Sequence, residues 1–188
     1  MNKTRIEWVK NPDGSLHPAY IAGFFDGEGS AMILTIRRRV NGHILYRFRP
    51  VIKIQQKTVG VLNQIAGSIG YGHIDKSGSG YCYIINGLAG VIEFAKRVAE
   101  YTIVKRESLI ATSAIAYLQS TNHRRNHPYG RPFFSRLLGL REEVFKANQR
   151  TRTGLKQKYS TTKILAEHSF VDDIQAWQKN RMRGIHRE

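Results

Sequence analysis

Tyr20-Ile21-Ala22-Gly23-Phe24-Phe25-Asp26-Gly27-Glu28-Gly29-Ser30 begins as an apolar segment with small residues at its centre and ends in two carboxylates, each followed by glycine. Two glycines so close together weaken a helix interior. They suit a helix C-terminus, where left-handed geometry and close backbone approach are common. The stretch predicts a short helix ending near Asp26, with Glu28 just beyond its last turn. Met32-Ile33-Leu34-Thr35-Ile36 follows at once and reads as a strand. A carboxylate therefore sits at a helix-to-strand junction, on a backbone free to pack tightly against a neighbour.

Before this stretch, Asn11-Pro12-Asp13-Gly14 is a turn signal in a lead-in, and Pro18 suits the first turn of the helix. After the first strand (30–39), Asn41-Gly42 signals a tight hairpin. The second strand (44–56) alternates: Arg47, Arg49, Val51, Lys53 and Gln55 fall on one face, and Phe48, Pro50, Ile52 and Ile54 on the other. The first strand lacks a clean polar face, so its register stays open. Thr58 can cap a helix over 59–68, and a second hairpin follows (72–76 and 81–86) around Ser77-Gly78-Ser79-Gly80. Apolar residues at helical spacing predict helices over 87–101 and 104–118. A basic loop (122–132) precedes helical segments at 133–148 and 161–178, which are joined by a basic connection from Arg150 to Lys158. The order is helix, hairpin, helix, hairpin, helix, helix, an α+β domain with helices covering one face of a four-stranded sheet. The organisation expected is a lead-in (1–17), one domain (18–165), and a C-terminal helix with a basic tail (166–188).

With 188 residues, 41% of them hydrophobic, the chain can bury a core in one domain. A formal charge of +16 makes nucleic acid the leading partner, ahead of an acidic membrane surface. Between Glu28 and Asp75 there is no acidic residue, while Arg37, Arg38, Arg39, Arg47, Arg49, Lys53 and Lys57 fall there. One-sided charge on strands suggests a face turned to phosphates. No apolar run reaches the roughly 18 residues of a membrane span, and the first residues lack a signal-peptide core. A lone Cys82 excludes an internal disulfide framework and argues against a thiolate zinc site. A zinc site on His123 and His127 is weak, because they lie in a proline-containing loop without carboxylate support. The expectation is a soluble, intracellular protein.

The stretch Ile21–Gly29 resembles the signature of the LAGLIDADG homing endonucleases, single-motif type, and the element order over 18–120 agrees with that resemblance. It implies that the motif helix packs against its twin across a twofold axis, with Ile21, Ala22, Gly23 and Phe25 at the interface of a homodimer. It implies a sheet shaped as a saddle in the DNA major groove, read by Arg37, Arg38, Arg39, Arg47, Arg49, Lys53 and Gln55. His73, Asp75 and Ser77 could face the same groove, and Arg150, Arg152, Lys156 and Lys158 contact DNA from the basic connection. Glu28, with the Gly27 carbonyl, would hold a divalent metal at the scissile phosphate. Ile54-Gln55-Gln56-Lys57-Thr58 matches the family's strand end, so Gln56 orients water, and Val104-Lys105-Arg106 matches the position of a Lys near the attacking water. Where some members carry a further basic residue this chain has Gly60, with Arg106 as a substitute candidate.

The function implied is site-specific, Mg²⁺-dependent cleavage of double-stranded DNA at a long, near-palindromic target by an intron- or intein-encoded enzyme. Mn²⁺ would substitute, and Ca²⁺ would support binding without cleavage. Two other readings share the fold: a maturase that binds intron RNA, and a DNA-binding regulator without cleavage.

Overall fold

The computed structural model describes residues 11, 13–40, 42–122, 129–151 and 156–170. Trp8, His123, His127, Arg152 and the predicted continuation of the last helix beyond 170 lie outside them. Among the described residues ten elements follow in order: α1 (Pro18–Glu28), β1 (Gly29–Val40), β2 (His43–Gln56), α2 (Val59–Ile69), β3 (His73–Ser77), β4 (Gly80–Ile85), α3 (Leu88–Val98), α4 (Arg106–Thr121), α5 (Arg131–Thr151) and α6 (Thr161–Glu167). The α+β architecture and the two hairpins agree with the sequence reading. The strands form one antiparallel sheet in the order β1-β2-β4-β3.

Local chemistry explains the ends. Pro18 occupies the first turn of α1, and the His17 Nδ1 accepts from the Ala19 N–H at 3.2 Å. Helix α1 runs two residues further than expected and takes in Glu28. Gly29 then leaves in extended rather than left-handed geometry (φ −91°, ψ 173°). Glycine is required there for space: a Cβ would meet the Phe25 ring at 2.2 Å. Thr58 does precede α2, but its side chain makes no capping bond. Gly70 closes α2 in the left-handed region (φ 78°), where other residues are strained.

Helices cover one face of the sheet with two hydrophobic clusters. The first joins Ile21, Ala22 and Phe25 of α1 to Ile52, Ile54, Tyr83 and Ile85 of the strands, with Leu62, Phe94 and Leu109 from α2, α3 and α4. The second lies over the outer half of the β1–β2 hairpin and joins Tyr46 and Phe48 to Ile115, Phe134, Leu137 and Ile164. α6 stops at Glu167, eleven residues short of the predicted end at 178, and His168 continues in extended geometry (φ −72°, ψ 125°). The chain is nevertheless packed beyond residue 165, because His168 is buried and stacks on Phe134 with centroids 3.8 Å apart.

This C-terminal segment has a structural task. β4 pairs with β2 from Ile52 to Gln56, and among the described residues the same edge of β2 has no strand partner further along. An open edge invites association with another chain. Here Ser169 N donates to the Ile44 carbonyl (2.9 Å), Tyr46 N donates to the His168 Nδ1 (3.0 Å), and Gln119 Nε2 donates to the Phe48 carbonyl (2.7 Å). The edge is sealed by side chains and one loop amide.

Accepting from Tyr46 N requires an unprotonated His168 Nδ1. Burial, and next the charge of Arg47, push its pKa down to about 4. The unfolded chain binds a proton near 6.5, so stability is fully present above that pH and falls as pH drops from 6.5 to 4. The expected loss is about 3 kcal/mol, measured by urea unfolding across this window. His168→Asn, which keeps an acceptor, is expected to flatten the profile.

Candidate nucleic-acid interface and catalytic site

The register of β1 against β2 resolves what the sequence left open. Ser30, Met32, Leu34, Ile36 and Arg38 pair with Lys53, Val51, Arg49, Arg47 and Leu45. Paired residues share a face, so these side chains lie opposite the helices. Through β4 the same face continues to β3, with Lys53, Ile84 and His73 in one row and Gln55, Cys82 and Asp75 in the next. The expected alternation of β2 is correct, and His73, Asp75 and Ser77 share its cationic face. The His73 Nε2 lies 3.3 Å from the Asp75 Oδ2.

Several expected contacts are placed differently. Arg37 pairs with Tyr46 on the helix side, where its Nε meets the Glu167 Oε2 at 2.9 Å. That carboxylate also accepts from the Tyr46 hydroxyl at 2.5 Å. The bonds from Tyr46 and Arg37 hold the Glu167 carboxyl below its ordinary range, while burial pushes the Tyr46 phenol up to about 12. Arg37 thus ties α6 to the sheet rather than facing a groove. Arg39 pairs with Ile44 on that same side, and only Arg38 of the three joins the groove face. Arg47 starts from the groove face, but its guanidinium lies over the Tyr129 ring, 4.6 Å from the centroid.

Ile21, Ala22 and Phe25 are 2%, 0% and 0% exposed within the single chain, so their side chains cannot meet another copy. The outward stripe of α1 is instead Tyr20, Gly23, Phe24 and Gly27, at i, i+3, i+4 and i+7. A Cβ at Gly23 or Gly27 would meet nothing within 4 Å. The glycine pair therefore presents bare backbone to whatever packs there.

Glu28 is exposed as the last residue of α1 and is followed directly by β1. Asp26, by contrast, is fully engaged. Its Oδ2 accepts from Ile103 N (2.7 Å) and Val104 N (3.2 Å), and its Oδ1 accepts from Lys105 N (2.9 Å). One carboxylate thus fixes the turn that leads into α4 by accepting from three successive N–H groups. The Lys105 Nζ then reaches back to the last turn of α1, donating to the Phe25 carbonyl (3.1 Å) and the Asp26 carbonyl (2.6 Å). Burial lowers the Lys105 pKa, and the charges of Asp26 and Glu28 act in the opposite sense. Sequence reading assigned Asp26 no role, and its partners 77 to 79 residues away leave no local signal.

Gln56 ends β2, two residues past the Ile54–Gly29 pair, and its Oε1 accepts from Lys57 N at 2.7 Å. Glu28 and Gln56 therefore stand at one end of the β1–β2 pair, and Lys105 reaches the same end of α1 through Asp26. Among the described residues no group of three or more His, Cys, Asp or Glu gathers to hold a metal. The hard oxygen donors at hand are the Glu28 carboxylate and the Gly27 carbonyl. They fit a divalent ion whose remaining ligands come from outside the chain.

The described end of the basic connection, residues 156–158, is held from below. Arg141, 5% exposed, donates through Nε to the Thr35 hydroxyl (2.9 Å), through Nη1 to the Glu142 Oε1 (2.6 Å) and through Nη2 to the Tyr159 carbonyl (2.7 Å). Gln157 and Thr161 bond the same Glu142. Lys156 and Lys158 are exposed on this anchored segment. Arg150 is exposed at the end of α5, 2.5 Å from the Glu107 carboxylate.

Asp26→Ala removes the acceptor of three N–H groups. Hydrogen bonds to a charged group contribute about 1.5–3 kcal/mol each, though water replaces part of that at a half-buried site. A net loss of about 2–3 kcal/mol is expected in urea unfolding, with faster amide exchange at residues 103–105.

A helix-to-strand carboxylate at one end of a single antiparallel sheet, helices on one face and cationic side chains on the other, defines the class. The LAGLIDADG endonuclease family model matches residues 21–117, and the chain belongs to that family. Among solved structures it is similar to the archaeal intron-encoded homing endonuclease I-Vdi141I complexed with DNA, at 26% identity and TM-score 0.66, over 85% of this chain and 96% of that one. The homing endonuclease I-CvuI, in complex with a DNA target in the presence of Mg, shares the fold at 17% identity and TM-score 0.62, over 84% and 94%. I-TnaI does so at 19% and 0.54, over 73% and 99%. No curated protein matches the chain by sequence. No helix among the described residues is long and apolar enough to cross a membrane.

Proposed function

We propose that this chain is a site-specific, divalent-metal-dependent endonuclease that cuts double-stranded DNA as a homodimer. The observation that carries the reading is Glu28, an exposed carboxylate at the end of α1, at the head of a sheet whose groove face presents Arg38, Arg49, Lys53 and Gln55. The groove face binds the phosphates and base edges, with Arg and Lys suited to guanine and Gln55 to adenine. His73, Asp75 and Ser77 extend that face across β3. Arg150, Lys156 and Lys158 add phosphate contacts from the flank.

Glu28 and the Gly27 carbonyl would hold Mg²⁺, with Mn²⁺ as a substitute. Such an ion, when bound, lowers the pKa of water and offsets charge at the phosphate. Lys105 brings a cation to the same end of α1, with burial easing release of its proton. Gln56 orients water from the end of β2. One carboxylate serves one strand, so cutting both strands takes two chains. The Tyr20–Gly23–Phe24–Gly27 stripe supplies the twofold contact, because its glycines let two backbones approach closely.

The test incubates the protein with linear duplexes carrying candidate intron-insertion sequences, in Mg²⁺ and in Ca²⁺. Cleavage in Mg²⁺ and binding alone in Ca²⁺ is the expected outcome. Binding with no cleavage in any divalent ion points to a DNA-binding regulator, and preferential binding of structured intron RNA points to a maturase.

A further inference from the structure

Strand β1 is an edge strand, and its groove face carries Met32, Leu34 and Ile36 in succession. Their neighbours Ala31 and Ile33 join the two hydrophobic clusters on the helix side. Met32, Leu34 and Ile36 join neither, and Leu34 is 40% exposed. Leu34 is exposed between the half-buried Met32 and Ile36 on the sheet face away from the helices, a liability unless that face meets something. What it meets is constrained by the next strand: Leu34 pairs with the exposed Arg49, and Met32 lies one pair from Lys53.

The occupant must offer anionic or acceptor groups and, within one residue width, small apolar groups. Duplex DNA does so at thymine, whose C5 methyl projects into the major groove beside guanine O6 and N7. We infer that Met32, Leu34 and Ile36 form a stripe that reads thymine methyl groups, with Leu34 the specificity-determining residue and Arg49 addressing the adjacent base. Residues two apart on a strand are separated by about 6.7 Å. Base pairs stack at about 3.4 Å, so the three side chains fall opposite alternate base pairs. RNA does not satisfy this face, since uracil lacks the methyl and the RNA major groove is too narrow for side chains. The inference rests on the DNA reading above and specifies the base feature that part of the surface recognises.

The experiment selects tight binders from a pool of random DNA duplexes in Ca²⁺. Each thymine of the selected sequence is then replaced singly by deoxyuridine, which removes only the methyl. Wild-type protein is expected to lose about three- to fivefold in affinity at thymines spaced two base pairs apart. Leu34→Ser is expected to bind thymine and deoxyuridine duplexes equally at one of those positions in each half-site and to keep the sensitivity at the others. Leu34 lies outside both clusters, so the variant is expected to fold with the circular dichroism and unfolding midpoint of wild type. Sequence selection that is indifferent to every thymine methyl, or unchanged methyl sensitivity in Leu34→Ser, overturns this inference and leaves the DNA reading intact. Failure to enrich any sequence overturns both.

Discussion

Glu28→Gln is expected to lower single-turnover cleavage of a bound duplex by at least about a thousandfold, or about 4 kcal/mol of transition-state stabilisation. Glutamine keeps the shape and one oxygen, but removes the negative charge that makes the end of α1 a ligand for a divalent ion. Because Glu28 is exposed and among the described residues makes no structural bond comparable to those of Asp26, the variant should unfold at the same denaturant concentration as wild type. DNA affinity measured in Ca²⁺ should change little, since the groove face is untouched. A rate within about tenfold of wild type would move the chemistry away from Glu28.

The second large effect is on stability. Arg141→Met is expected to destabilise the fold by about 3–5 kcal/mol, read as a lower urea midpoint. Methionine fills much of the volume but leaves Glu142 without its buried cation and the Thr35 hydroxyl and Tyr159 carbonyl without their donor. Arg141 is buried and Glu142 only partly exposed, so removing the cation leaves a carboxylate that water compensates incompletely and costs more than the pair contributes. A double variant, Arg141→Met with Glu142→Gln, should recover part of the loss because no unpaired charge remains. The same contacts hold Lys156 and Lys158 in place, so the single variant should also weaken DNA binding under conditions where it remains folded.

Much of this architecture was legible where the period was unambiguous. β2 alternates cationic and apolar residues from Arg47 to Gln55, and period 2 assigned its faces correctly. β1 was not legible, because Met32, Leu34 and Ile36 are as apolar as the buried side and only pairing shows which face they take. The motif helix misled for a related reason. Both of its faces are apolar or small, so choosing Ile21, Ala22 and Phe25 for the interface had no pattern to oppose it. The core claimed them, and the stripe one residue away stayed outside.

Long-range ties were beyond reach for a different reason. Asp26 with residues 103–105, Arg37 with Glu167, and His168 with Tyr46 are each separated by scores of residues, and nothing local marks them. The arginine run 37–39 was read as one basic block. A strand turns successive side chains to opposite faces, so Arg38 alone joins the groove.

Double-strand cleavage requires two chains, each contributing one Glu28 to one strand of the same duplex. Mixed dimers carrying one wild-type chain and one Glu28→Gln chain, purified through two different tags, test this on a supercoiled plasmid bearing the selected sequence. Nicked circles, with cleavage confined to one strand, are the predicted product. Linear plasmid formed at the wild-type rate would contradict the one-carboxylate-per-strand arrangement.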